Sequence, residues 1–130
     1  MMTDQISDML TRLRNGILAK KKNVVLPYSK MKVKILDILA GEKYISGYEI
    51  KKNKFDEIEV VIKYDTKGKP CLTTLSRISK PSRRIYVSKE NLPVVLNNHG
   101  IAIISTSQGI MTNKEAKKKG IGGEVICEIY

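Results

Sequence analysis

The sequence has little of the chemistry on which enzymes, secreted domains and membrane proteins depend. Its 130 residues contain two cysteines, and no apolar run approaches the roughly 20 residues of a membrane-spanning helix. Cys71 and Cys127 lie far apart among apolar or strand-forming residues, and a domain of this size needs no disulfide. We therefore expect two buried free thiols in a reducing cell interior. The amino terminus lacks the pattern of a secretory signal, which predicts a cytoplasmic protein without membrane contact.

Catalytic and metal-binding groups are equally scarce. His99 is the only histidine, and its Asn-Asn-His-Gly context is typical of a turn. No spacing of Cys, His and carboxylates matches a zinc site, and no glycine loop matches a Walker motif. The sequence therefore predicts a protein that is not an enzyme and has no metal or cofactor. One alternative stays open, a small nuclease or RNA-modifying enzyme with His99 as acid or base.

Positive charge is what the sequence has in excess. Lys and Arg number 24 against 13 Asp and Glu, which gives a formal net charge of +11. Such an excess repels itself within a small volume and is best explained by a polyanionic partner, although charge alone leaves a DNA-architectural protein open. Each basic cluster either neutralises phosphates of a bound nucleic acid or is only the solvated end of a helix. The clusters lie at residues 20–22, 30–34, 51–54, 77–84 and 114–119.

In the first half of the chain, apolar spacing predicts a helix followed by a short strand. Residues 4–20 have the period of one apolar helical face. The members of that face are Ile6, Met9, Leu10, Leu13, Ile17 and Leu18. Residues 24–28 follow as an edge strand, because Pro27 removes a ladder donor.

A second helix and a hairpin are predicted next. Ser29 is the expected cap of a helix that runs to about Ala40, with Gly41 as its end and the lysines around its sides. Its predicted apolar side comprises Met31, Ile35, Ile38 and Leu39. Residues 44–52 and 56–65 then read as two strands joined through Asn53 and Lys54. The second has the pattern of a strand with one buried face, in which Ile58, Val60, Ile62 and Tyr64 alternate with Glu57, Glu59 and Lys63.

The second half of the chain is predicted to consist mostly of short antiparallel strands. The polar, Gly- and Pro-broken stretch around 67–70 is the best internal boundary. A capping box begins a short helix at Thr112, and Gly120 ends it. Strands are predicted at 72–78, 84–88, 101–106 and 124–130. In the last strand, Val125, Cys127 and Ile129 alternate with Glu124, Ile126, Glu128 and Tyr130.

The fold class follows from this order of elements. We predict an α+β protein of two small α/β subdomains. The first, at 1–66, is a helix, a strand, a helix and a hairpin, whereas the second, at 71–130, is rich in antiparallel strands and has one short helix.

The strand around Tyr86 is a candidate surface for stacking. Alternation places Arg84 and Tyr86 on one face of the strand, whereas Ile85 and Val87 turn to the other. A tyrosine ring beside a guanidinium suits an unpaired base or a ribose. The plainer alternative, a half-buried strand tyrosine, stays open on this feature alone.

Small residues near the carboxyl terminus form a second candidate. Ser105, Thr106 and Ser107 place three short hydroxyls at the end of an apolar strand, where they suit base edges, 2′-hydroxyls or phosphates. Gly122 and Gly123 allow another backbone to approach closely. Two plainer alternatives stay open, a turn closed by hydroxyl-to-backbone bonds and a bulge at the start of a strand.

Several segments together resemble one known family. They are similar to the signature of the bacterial small-subunit ribosomal protein eight family: IISTSQGIM at 103–111, TNKEA at 112–116 and GIGGE at 120–124. The resemblance extends along the whole chain through further segments: DQISDMLTRLRN at 4–15, SKMK at 29–32 and KPSRRIY at 80–86.

The resemblance implies a function as well as a fold. It implies a primary binder of the central domain of 16S ribosomal RNA that helps to organise the platform of the small subunit, with neighbouring ribosomal proteins as partners. Some members also repress their own operon by binding a messenger RNA site that mimics the ribosomal one. The family's RNA contact, carried onto this sequence, comprises Ser105, Thr106, Ser107, Tyr86, Gly122, Gly123 and Glu124. We add three basic residues of the 77–84 cluster to the expected site: Lys80, Arg83 and Arg84.

Overall fold

The computed structural model describes residues 5–52 and 56–130 and confirms the predicted α+β class. The chain divides into two compact units, and the division falls between Thr73 and Thr74. The stretch at 67–70 is a turn that belongs to the first unit, because Cys71 N–H donates to the Lys63 carbonyl at 3.0 Å. The division therefore lies a few residues beyond the predicted boundary.

The first unit contains two helices and three strands: α1 (Gln5–Leu18), β1 (Asn23–Pro27), α2 (Lys30–Gly41), β2 (Ile45–Lys52) and β3 (Asp56–Ile62). The strands form an antiparallel sheet with the order β1-β3-β2. Helix α1 packs mainly on β1, and α2 packs on β2. The expected β2–β3 turn at Asn53 and Lys54 and the expected start of α1 at Asp4 lie outside the described residues.

The buried face of α1 differs from the predicted one in its last turn. Leu18 is 77% exposed, so its placement on the apolar face was wrong. Gly16 occupies the inward position of that turn instead. A Cβ on Gly16 would collide with Val24 of β1, so the absence of a side chain lets the helix and the strand pack closely. The other predicted members of the face are buried, apart from the half-buried Ile17.

Helix α2 begins as predicted, and its buried side agrees only in part with the prediction. Ile35 and Leu39 are buried as expected, and Ile38 is half-buried. The Ser29 hydroxyl accepts a hydrogen bond from Lys32 N–H at 3.2 Å, which confirms the cap. Met31 is exposed, contrary to the prediction, whereas Lys32 is only 3% exposed. The Lys32 ammonium donates to the Pro27 carbonyl at 3.1 Å, and burial lowers the pKa of this lysine. Leu36 fills the core position that sequence reasoning did not assign.

The second unit is a five-stranded antiparallel sheet with one short α-helix. Its elements are β4 (Leu75–Arg77), β5 (Tyr86–Val87), β6 (Ile101–Thr106), β7 (Gly109–Thr112), α3 (Asn113–Lys119) and β8 (Gly123–Ile129). The strand order is β4-β8-β6-β7, and β5 pairs with β8 as well. Strand β7 was not predicted, because its four residues are too few to show a clear alternation. The Thr112 hydroxyl accepts from Glu115 N–H at 3.1 Å, which confirms the predicted helix cap.

Strand β8 contains a β-bulge that changes which side chains share a face. Residues 103–104 of β6 pair with Cys127 and Val125, so Ile126 is an extra residue. The predicted strict alternation of β8 was therefore wrong. Glu124 lies on the same face as Cys127, whereas Val125 packs in the core on the opposite face.

Both cysteines are free thiols in the described structure, but only one is fully buried. Burial raises the pKa of the Cys127 thiol to about 12, because an apolar environment disfavours the thiolate. Cys71 is half-buried, so the expectation of burial was wrong for that residue.

Candidate nucleic-acid interface

One end of the second unit's sheet carries three chemically different side chains in a row. Tyr86 of β5 pairs with Glu124 of β8, and Glu124 pairs in turn with Ser105 of β6. Residues directly opposite each other on antiparallel strands project from the same face, so the ring, carboxylate and hydroxyl lie side by side. We name Tyr86, Glu124 and Ser105 the interface row.

Tyr86 presents its ring to solvent. It is 67% exposed, which removes the alternative of a half-buried strand tyrosine. Its neighbour Val87 is half-buried and packs against the core that contains Val95 and Val125. The predicted alternation therefore holds, although β5 comprises only two residues. An exposed ring that the core does not use is available for stacking.

Glu124 is held by donors from two sides. Its carboxylate accepts a hydrogen bond from the Ser79 hydroxyl at 2.5 Å and from Arg84 Nη1 at 3.2 and 3.3 Å. The residue is only 9% exposed, and a buried charge of this kind is tolerated because it is paired and hydrogen-bonded. Sequence reasoning missed Ser79, since a serine at the end of a short strand carries no signal until the fold places it beside Glu124.

The three predicted hydroxyls have different roles. Thr106 Oγ1 donates to the Gly109 carbonyl at 2.7 Å and accepts from Gln108 N–H at 3.1 Å. For Thr106, the structure therefore shows a turn closed by hydroxyl-to-backbone bonds. Within residues 5–52 and 56–130, the side chains of Ser105 and Ser107 form no hydrogen bond. Ser107 is exposed in the β6–β7 turn, so its hydroxyl is available to a ligand.

The two predicted glycines are surrounded by the protein's own backbone. A Cβ on Gly123 would collide with the Ser105 carbonyl, and one on Gly122 would collide with the Val87 carbonyl. The start of β8 thus lies too close to β5 and β6 for any side chain. Close packing of the protein's own strands therefore explains why Gly122 and Gly123 lack side chains. A contact between these glycines and RNA stays a prediction.

Two exposed cations lie opposite each other in the connection between β4 and β5. Lys80 and Arg83 form reciprocal backbone hydrogen bonds of 2.9 and 3.0 Å across a tight turn. The next residue, Arg84, reaches Glu124 and so joins this turn to the interface row. The site therefore combines exposed positive charge with the interface row.

His99 lies at the end of a 3₁₀ turn, where its backbone N–H donates to the Leu96 carbonyl at 3.0 Å. Among the described residues, no three His, Cys, Asp or Glu side chains gather as metal ligands. No helix in that part of the chain is both long and apolar enough to cross a membrane.

Comparison with known proteins supports the motif-based resemblance. A family model described as ribosomal protein S8 matches residues 4–130. The chain belongs to this family. It is similar to proteins named small ribosomal subunit protein uS8, one of which, from Thermodesulfovibrio yellowstonii, is 50% identical over 131 residues and 100% of both chains. A second, from Buchnera aphidicola subsp. Schizaphis graminum, is 52% identical over 98% of both chains. A third, from Hydrogenovibrio crunogenus, is 48% identical over 98% of both chains.

Proposed function

We propose that this protein is a structural constituent of the small ribosomal subunit that binds the central domain of 16S ribosomal RNA and helps to organise the platform. The interface row carries the proposal, because it offers a ring, a carboxylate and a hydroxyl on neighbouring strands. Stacking and hydrogen bonding to splayed bases and 2′-hydroxyls are how proteins read irregular RNA. Membership of the ribosomal protein S8 family supports the same partner.

The charged groups of the site have two proposed roles: the cations attract RNA, and the carboxylate recognises it. Lys80 and Arg83 attract phosphates irrespective of sequence. The Glu124 carboxylate accepts hydrogen bonds only and repels phosphate, so the group that faces it must be a donor. A base amino or imino group and a ribose 2′-hydroxyl are the RNA groups that satisfy this requirement. We therefore propose that the row faces bases and sugars in a distorted helix.

Binding measured against matched nucleic acids tests the proposal. The three probes are a transcript of the 16S central domain, a scrambled transcript of equal length and DNA with the central-domain sequence. We expect the tightest binding to the central-domain transcript at every salt concentration, with similar salt slopes for the two RNAs, because the slope counts neutralised phosphates. Equal affinity for the two transcripts would contradict the proposal. A preference for the DNA would favour a DNA-architectural protein instead.

Substitutions of the two hydroxyls in the β6–β7 turn should have different effects, one on RNA binding and the other on stability. Ser107→Ala should weaken binding to the central-domain transcript by about 1 kcal/mol and leave the free energy of unfolding unchanged, because the exposed hydroxyl has no partner in the described chain. Thr106→Ala should lower the free energy of unfolding by about 1 to 2 kcal/mol, because it removes two turn bonds. Urea denaturation and fluorescence anisotropy measure the two quantities. An equal loss of binding to the scrambled transcript after Ser107→Ala would contradict its role in recognition.

We also propose that the same surface binds the messenger RNA of the protein's own operon, and that other ribosomal proteins cover other parts of the chain in the assembled subunit. One site for two RNAs requires competition between them. The operon transcript should therefore displace labelled central-domain RNA, and simultaneous binding of both would contradict a shared site.

This function places the protein on cytoplasmic ribosomes and assigns it no catalysis. Labelled RNA should stay intact in its presence. Cleavage that His99→Ala abolishes would favour the enzyme alternative instead.

A further inference from the structure

Ser79 connects the interface row to the backbone that leads into β5. The residue is fully buried, with 0% of its surface exposed. Its hydroxyl donates to Glu124 Oε2 at 2.5 Å and accepts a hydrogen bond from Ile85 N–H at 3.0 Å. A single small side chain thus joins a carboxylate on β8 to the main chain next to Tyr86.

The two donors to Glu124 differ in rigidity. Arg84 has a long side chain that is 48% exposed, and its contacts with the carboxylate measure 3.2 and 3.3 Å. An incoming phosphate can draw such a guanidinium away, since arginine pairs with phosphate as readily as with carboxylate. Ser79 has one side-chain torsion, lies in the interior and cannot follow the RNA. It is therefore the donor that stays in place when RNA binds.

We infer that Ser79 is a positioning residue that holds the Glu124 carboxylate in the geometry needed to recognise RNA. The inference rests on the proposed function, because it names how one group of that same site is oriented. The Ser79 proton engages Oε2 and fixes the side-chain rotamer of Glu124. The remaining lone pairs of Oε1 are then directed to a ligand donor. Ser79 itself touches no RNA, so its loss should reduce selectivity rather than general attraction.

A double-mutant cycle on the full chain tests this role. The variants are Ser79→Ala, Glu124→Ala and the two combined, each titrated with the central-domain transcript and the scrambled transcript. Ser79→Ala should weaken binding to the central-domain transcript about tenfold, since a hydrogen bond to a charged group is lost, and should leave the scrambled transcript unaffected. When Glu124 is already alanine, the further loss should be less than about twofold, because there is no carboxylate left to position.

Three further variants test whether the effect is specific to the Ser79 hydroxyl. Ser76→Ala removes a hydroxyl from β4 opposite Glu128, away from the row, and should bind both transcripts as the unmodified protein does. Arg84→Gln should weaken binding to both transcripts and preserve their ratio. Ser79→Cys keeps nearly the same volume with a weaker donor, and should show a selective loss of the same sign even where Ser79→Ala fails to fold.

The outcomes distinguish this inference from the proposed function. A selective loss that disappears in the Glu124→Ala background supports positioning by Ser79. Equal losses on both transcripts would show that Ser79 contributes packing alone. The same selective loss with and without Glu124 would show that Ser79 acts through the Ile85 backbone and not through Glu124. Either result overturns the positioning of Glu124, while the proposed function stands. If the unmodified protein does not distinguish the two transcripts, the proposed function fails, and the positioning role fails with it.

Discussion

Gly123→Ala should lower the free energy of unfolding by about 3 kcal/mol, the upper end of the usual cost of overpacking. The added Cβ would collide with the Ser105 carbonyl, and a second backbone atom of the same residue lies 3.0 Å away. A flexible side chain could rotate aside, but this carbonyl belongs to β6. Moving it would disrupt the β6–β8 pairing. Gly122→Ala should have an effect of similar size, because its Cβ would meet the backbone of Val87 and Ser88.

Urea denaturation followed by circular dichroism measures the effect, and Gly41→Ala is the matched control. A Cβ on Gly41 would have no atom within 4 Å, and the residue has no positive φ, so alanine should be neutral or stabilise the protein by about 0.5 kcal/mol. If Gly123→Ala unfolded like the unmodified protein yet bound central-domain RNA more weakly, the glycine would be needed for close approach of RNA rather than for strand packing.

Tyr86→Ala should weaken binding to the central-domain transcript by about 1 to 3 kcal/mol, the usual range for loss of one base stack. The ring is 67% exposed and adds little to the core. The free energy of unfolding should therefore change by no more than about 0.5 kcal/mol. Fluorescence anisotropy at one fixed salt concentration measures binding, and urea denaturation measures stability.

Tyr86→Phe is the control for this prediction, because it keeps the stacking face and removes only the hydroxyl. It should bind within about threefold of the unmodified protein if stacking dominates. A loss as large as that of Tyr86→Ala would assign the contribution to the hydroxyl. An unchanged dissociation constant for Tyr86→Ala would show that the RNA does not reach the ring.

Local patterns in the sequence predicted local structure well. The caps at Ser29 and Thr112 were both correct, since each depends on a hydroxyl and a backbone N–H three residues later. The alternation of β3 correctly buried Ile58, Val60 and Ile62, because one face of that strand covers the core.

The errors arose where a neighbouring element decided the outcome. Leu18 fits the helical period of α1, but Gly16 packs against β1 in the last turn. Lys32 carries a charge that sequence reasoning placed outside, yet the residue is buried and its ammonium donates a hydrogen bond to the Pro27 carbonyl. The bulge at Ile126 interrupted an alternation that was otherwise regular, because a bulge depends on the pairing of two strands.

The sequence by itself determined the α+β class, the order of most elements, the basic character and the family, because these depend on composition, short periodicities and a contiguous signature. Only the tertiary structure decided which candidate residues lie together. Ser79 and Glu124 are 45 positions apart, and Tyr86, Glu124 and Ser105 lie on three strands. Their alignment depends on strand register and on one bulge, and no local pattern encodes either. The tertiary structure also gave neighbouring hydroxyls different roles, because Thr106 closes the turn whereas Ser107 faces solvent.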